Sequence, residues 1–118
     1  DNRLYLDGSH NPLGAKALNE YLNTLDCKKH LILGMMSNKD HEEYLSKFNN
    51  ISSITTIDIP NQPNAIKGKD LKEKLNKYPN VSYKKSIEEA LNSLNLEKDD
   101  LIMITGSLYL AGELLNLN

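Results

Sequence analysis

Cys27 is the only cysteine in 118 residues. No internal disulfide can therefore form, and a reducing compartment, the cytoplasm, is the expected location. No apolar run approaches the roughly 20 residues that a membrane helix needs, and no signal peptide opens the sequence. Neither charge is in large surplus: 14 Lys and Arg stand against 16 Asp and Glu, a net −2 at pH 7. That balance lacks the basic face a nucleic-acid partner requires. Lysines do crowd one segment (Lys67, Lys69, Lys72, Lys74, Lys77), but Asp70 and Glu73 interleave them and the stretch reads as solvated surface. His30 and His41 have no partners at metal-ligand spacing, so no metal site is expected. The phosphate-cradling G-x-x-x-x-G-K-[ST] is missing. "TGSLYLAGE" has two glycines but neither the dinucleotide fingerprint nor the G-x-S-x-G of a nucleophile elbow.

What is present is an alternation. Apolar, β-prone runs occur at 4–6, 31–35, 51–59, 81–83 and 101–105, with helical patterns at 12–25, 41–48, 68–77, 86–95 and 107–117. Strands separated by helices imply βαβ crossovers and a mostly parallel sheet, the Rossmann-like three-layer α/β/α class. The length suits one domain. Because a strand pattern starts almost at Asp1, residues 1–118 are expected to be a domain of a longer chain. Helix starts are well marked. Asn11 before Pro12 is an N-cap with proline at the first helical position, where its missing N–H costs nothing. Asp40 with Glu43, and Ser86 with Glu89, have capping-box spacing. The stretch "PNQPNAIKGK", 60–69, resists both helix and strand and reads as a long loop.

In an open parallel sheet the loops leaving the carboxyl ends of the strands share one rim, where ligands bind. Here those loops carry Asp7-Gly8-Ser9-His10-Asn11, then Ser37-Asn38-Lys39-Asp40, then Asn61-Gln62-Pro63-Asn64, and finally Thr105-Gly106-Ser107. A carboxylate, an imidazole, an ammonium and a hydroxyl can meet there, two of them at helix starts whose free N–H groups favour an anion. A small carboxylate or phosphate fits. Each residue also has a plainer reading: Asp7 as a turn brace, His10 as a solvent-facing histidine, Lys39 as surface, and Asp40 and Ser107 as helix caps.

Three motifs in order, "LDGSHNP", "GMMSNKD" and "TGSLYLAGELL", resemble the C-terminal domain of folylpolyglutamate synthase and dihydrofolate synthase, members of the Mur ligase superfamily of ATP-dependent amide ligases. The resemblance runs the full length of the chain. It implies a mostly parallel sheet with one antiparallel strand, and an N-terminal P-loop ATPase domain in the same chain that binds most of the ATP and Mg2+. The implied reaction joins L-glutamate to folate or dihydropteroate through an acyl phosphate, in a monomeric enzyme. By the same resemblance Asp7 matches the aspartate that contacts the nucleotide, while His10 and Ser107 match positions holding the incoming glutamate. Lys39 resembles the lysine that related ligases aim at the amino-acid carboxylate, although Asn38 replaces the first acid of the usual D-K-D. No residue of the stretch is assigned a catalytic role.

Two rivals remain open. One is the C-terminal domain of a cell-wall precursor ligase of the same superfamily, against which the ending "GSLYLAGE" speaks. The other is a free-standing flavodoxin-like response module, which needs an acidic pair near the chain start; Asp7 has none, because Asp1 lies outside the strand pattern.

Overall fold

The computed structural model describes residues 3–107, 109 and 110. Five strands, β1 (Arg3–Leu6), β2 (Lys29–Leu33), β3 (Ser53–Thr56), β4 (Val81–Tyr83) and β5 (Leu101–Thr105), form one sheet in the order β1-β5-β2-β3-β4. Between them lie α1 (Pro12–Leu22), α2 (His41–Ser46), α3 (Gly68–Lys74) and α4 (Ile87–Ser93). The chain advances in one direction across the sheet from β1 to β4, then turns back to insert β5 between β1 and β2. Right-handed crossovers put α1, α2 and α3 on one face and send α4 to the other.

The two cores follow from this path. Ala15, Leu18 and Leu22 of α1, Tyr44 and Leu45 of α2, and Leu71 of α3 pack on Leu31, Leu33, Leu101 and Met103. On the far face Ile87 and Ala90 of α4 and Leu110 pack on Ile32, Ile102 and Ile104. Alternate residues of β2 and β5 thus serve opposite cores, the period-two geometry of a strand. Both strands are buried along their whole length, as the centre of a doubly covered parallel sheet demands.

The expected caps form. Asn11 Oδ1 accepts from the Gly14 N–H at 2.8 Å, Asp40 Oδ1 from the Glu43 N–H at 3.0 Å, and Ser86 Oγ from the Glu89 N–H at 3.1 Å. Element ends shift. β2 starts two residues before the expected 31, and the expected strand 51–59 keeps only Ser53–Thr56, because Ile57 and Ile59 turn into the far-face core. The helices are shorter than 12–25, 41–48, 68–77 and 86–95. The expected helix 107–117 falls mostly outside the described residues, with Tyr109 and Leu110 helical at its start.

The antiparallel strand implied by the resemblance is corrected. All four strand pairings are parallel among the described residues, and antiparallel contact is confined to the isolated bridge Met36↔Ala65. Every connection between strands contains a helix that carries the chain back to the same end of the sheet, so each strand enters in the same sense.

Opposite the rim, at the amino ends of the strands, His30 is buried and structural. Its Nε2 lies 3.0 Å from Asp100 Oδ2 and its Nδ1 2.7 Å from Ser53 Oγ. Both ring nitrogens are thereby partnered, Nε2 by the Asp100 carboxylate and Nδ1 by the Ser53 hydroxyl. Asp100 also accepts the Glu97 N–H at 3.0 Å. That backbone bond first, then His30 and Lys28, hold its carboxyl below the usual 3.8 against an opposing effect of burial. A carboxyl that ionises more readily folded than unfolded contributes stability above its unfolded value and loses it as pH falls through its folded value. Asp100→Asn is therefore expected to lower the urea midpoint at neutral pH, with the gap to wild type closing as pH drops from 3.8 downward. A gap that stays constant over that range would show that the ionised form contributes nothing.

Candidate functional site

The carboxyl ends of β1, β5 and β2 are neighbours, and the chain leaves them for opposite faces: α1 after β1, and the segment of Tyr109 and Leu110 after β5. That divergence opens a crevice at the rim, the usual ligand position in such sheets. An open pocket of about 460 Å³ lies there, lined by His10, Met36, Ser37, Asn38, Lys39, Asn64, Ser107 and Tyr109. His10, Lys39 and Ser107, expected from three different loops, thus reach one cavity. No acidic side chain is among its described lining residues.

Each side chain is placed by its own loop. The β1–α1 loop folds back over the first turn of α1, where a Cβ on Gly14 would come within 2.8 Å of Ser9 Cβ. His10 follows on that loop. Its Nδ1 is shut off from solvent and has no hydrogen-bond partner, a condition rare enough in a folded protein to require an explanation. Ser107 is buried, and its Oγ accepts the Tyr109 N–H at 3.0 Å. The capping reading of Ser107 is therefore correct locally, yet the hydroxyl proton stays available to an acceptor in the pocket. Lys39 is half-buried. Its loop is held by His41, whose Nε2 donates to the Met36 carbonyl at 2.9 Å and whose Nδ1 faces Lys74 Nζ at 3.3 Å, so this histidine is structural.

Asp7 is not among the residues lining the pocket. Its N–H extends the ladder to the Ile104 carbonyl at 3.0 Å and its Oδ1 accepts the Ser9 N–H at 2.7 Å, which makes the turn. The second carboxylate oxygen has no partner among the described residues.

Of the other contributors, Asn64 stands in a loop the sequence already places at the rim, whereas Tyr44 carries no signal in the sequence. Asn64 closes one wall because its carbonyl accepts both the N–H and the hydroxyl of Ser37, each at 2.8 Å, pinning the β3–α3 loop onto the β2–α2 loop. Tyr44, fully buried, brings its hydroxyl within 3.0 Å of Ser9 Oγ and 2.8 Å of Thr105 Oγ1. Burial raises its phenol above the usual 10.0, with the hydroxyl partners opposing and the Asp7 charge adding, so it stays neutral. Among the described residues no group of three or more His, Cys, Asp or Glu converges to hold a metal ion, and no helix is long and apolar enough to cross a membrane.

With this geometry in place, residues 1–108 match the family model described as Mur ligase, glutamate ligase domain. Over 113 residues the chain is 30% identical to a protein of Haloferax volcanii described as a probable bifunctional folylpolyglutamate synthase/dihydropteroate synthase, covering 92% of this chain and 13% of that one. Among solved structures it superposes on folylpolyglutamate synthase of Mycobacterium tuberculosis, complexed with ADP and AMPPCP, with a TM-score of 0.85 and 22% identity over 97% of this chain and 29% of that one. For folylpolyglutamate synthase of Thermotoga maritima the TM-score is 0.81 and the identity 27%, over 94% and 26% of the two chains. The chain thus spans less than a third of the length of these relatives.

Proposed function

The chain belongs to the Mur ligase family, as its glutamate ligase domain, and from that premise we propose that it is the C-terminal, amino-acid-accepting part of an ATP-dependent ligase. That ligase adds L-glutamate to folate, to dihydropteroate, or to both. The observation that carries this reading is the pocket in which Lys39, His10 and Ser107 converge from three loops, with no acidic side chain among its described lining residues. Glutamate brings two carboxylates, and an ammonium, an imidazole and a free hydroxyl proton complement them.

In this reading the domain's task is positioning. Holding the glutamate amine in line with an activated carboxyl recovers a large entropic term, and fixed positive groups offset charge that water would otherwise screen. Lys39 supplies the charge, Ser107 donates to a carboxylate oxygen, and His10 presents its imidazole to the pocket. Asp7 stands apart on the adjoining turn with one oxygen free, which suits a hydroxyl donor such as a nucleotide ribose. Bound ATP supplies the phosphoryl group that activates the carboxyl. In this reading Mg2+ and the phosphates of ATP are held mainly by an N-terminal P-loop ATPase domain of the same chain. A monomeric, cytoplasmic enzyme completes the proposal.

Mass spectrometry of products tests it. The ligase containing this chain, incubated with ATP, magnesium, glutamate and either dihydropteroate or a reduced folate, is expected to add one glutamate to the first or several in series to the second. If neither substrate gains mass, the folate acceptors fall and a cell-wall precursor becomes the acceptor to try.

A further inference from the structure

Tyr44 lies in the middle of α2, outside all the motif residues, yet its hydroxyl is the junction of the rim. Beyond Ser9 Oγ and Thr105 Oγ1 it approaches the Ser9 carbonyl at 3.2 Å, and Ser9 Oγ lies 3.2 Å from Thr105 Oγ1. The three hydroxyls form a ring, and each can give one proton and accept another around it. The Ser9 carbonyl is independently satisfied by the Gly106 N–H at 3.1 Å. The ring ties the β1–α1 loop to the end of β5 through α2. Ser9 adjoins His10, and Thr105 precedes Ser107 by two residues.

We propose that Tyr44 is a positioning residue that, through the hydroxyl ring with Ser9 and Thr105, sets the spacing of His10 against Ser107 and so tunes the pocket for its amino acid. The identity of that amino acid rests on the glutamate reading above; the positioning role rests on the ring. A buried ring closed on itself is worth more than its separate bonds, because each member orients the next. A phenylalanine keeps the packing of the Tyr44 ring in the core and removes only the junction, so the two loops lose their common reference while the sheet persists.

In the ligase that contains this chain, Tyr44→Phe is expected to raise the KM for L-glutamate about three- to tenfold, the range that one lost hydroxyl hydrogen bond corresponds to. The kcat and the KM for ATP are expected to change by less than about twofold. Thr105→Val opens the ring from its other side and should have a similar effect, with the double variant no worse than either single one. Asp100→Asn, which loosens the opposite end of the sheet, serves as a control: it lowers stability and leaves the glutamate KM alone. A glutamate KM unchanged in Tyr44→Phe beside a lowered melting temperature overturns the proposal and leaves Tyr44 a packing residue. If the wild-type ligase does not use glutamate, the acceptor reading fails by itself. The ring is then tested by the NMR signals of the His10 imidazole and the Ser107 amide in the 118-residue chain. Movement of both in Tyr44→Phe and Thr105→Val, but not in Asp100→Asn, supports the positioning role; signals that stay in place overturn it.

Discussion

Gly106→Ala is expected to cost about 3 to 5 kcal/mol of folding stability, the sum of a left-handed backbone strain and an overpacking term. For a domain of this size that corresponds to a fall in melting temperature of roughly 10 to 20 °C. Gly106 sits at φ +113°, where a side chain is strained in any surroundings, and a Cβ built there would lie 2.4 Å from the Gly34 carbonyl oxygen and 2.9 Å from Leu33 Cδ1. The first of these is backbone of the loop leaving β2, so relief requires the ends of β2 and β5 to part. The same movement would break the bond from the Gly106 N–H to Ser9 that closes the rim. Thermal melts of the 118-residue chain check it. A loss below about 1 kcal/mol would mean that the rim yields more easily than the packing of β2 against β5 implies.

His10→Ala should have the opposite profile, with a large effect on function and a small one on the fold. In the complete ligase the kcat/KM for glutamate is expected to fall about 10- to 100-fold, the range for a hydrogen bond to a charged group. The KM values for ATP and for the folate substrate should stay within about twofold. His10 makes no side-chain hydrogen bond with the described residues and its Nδ1 is buried without a partner, so removing the imidazole strands no protein group. Its melting temperature should therefore stay close to that of wild type. Equal losses for glutamate and folate, or a fall in melting temperature like that of Gly106→Ala, would make His10 a structural residue.

The two variants divide what was legible beforehand. His10 could be singled out because it stands in a polar turn between a strand and a capped helix, and the motif around it is specific. Gly106 was visible as one of two glycines in "TGSLYLAGE" and as part of a rim loop; its left-handed φ and its approach to Gly34 arise because β5 turns back beside β2, whose start lies 72 residues earlier, and no local pattern encodes that. Tyr44 shows the limit most sharply. Within α2 it reads as one more apolar position on a helix face, and nothing near it in sequence indicates that its hydroxyl meets Ser9 and Thr105, separated from it by 35 and 61 residues.

By itself the sequence determined the alternation of strands and helices, the caps at Asn11, Asp40 and Ser86, and the loops that carry His10, Lys39 and Ser107. Those features depend on period, turn chemistry and side-chain type within a few residues. Only the tertiary structure decided that β5 inserts between β1 and β2, that all five described strands run in parallel, and that three of the four expected site residues face one cavity while Asp7 stands aside. Strand order and the shape of a pocket come from packing two covered faces and from hydrogen bonds between distant loops. Those interactions exist only once the chain has closed on itself.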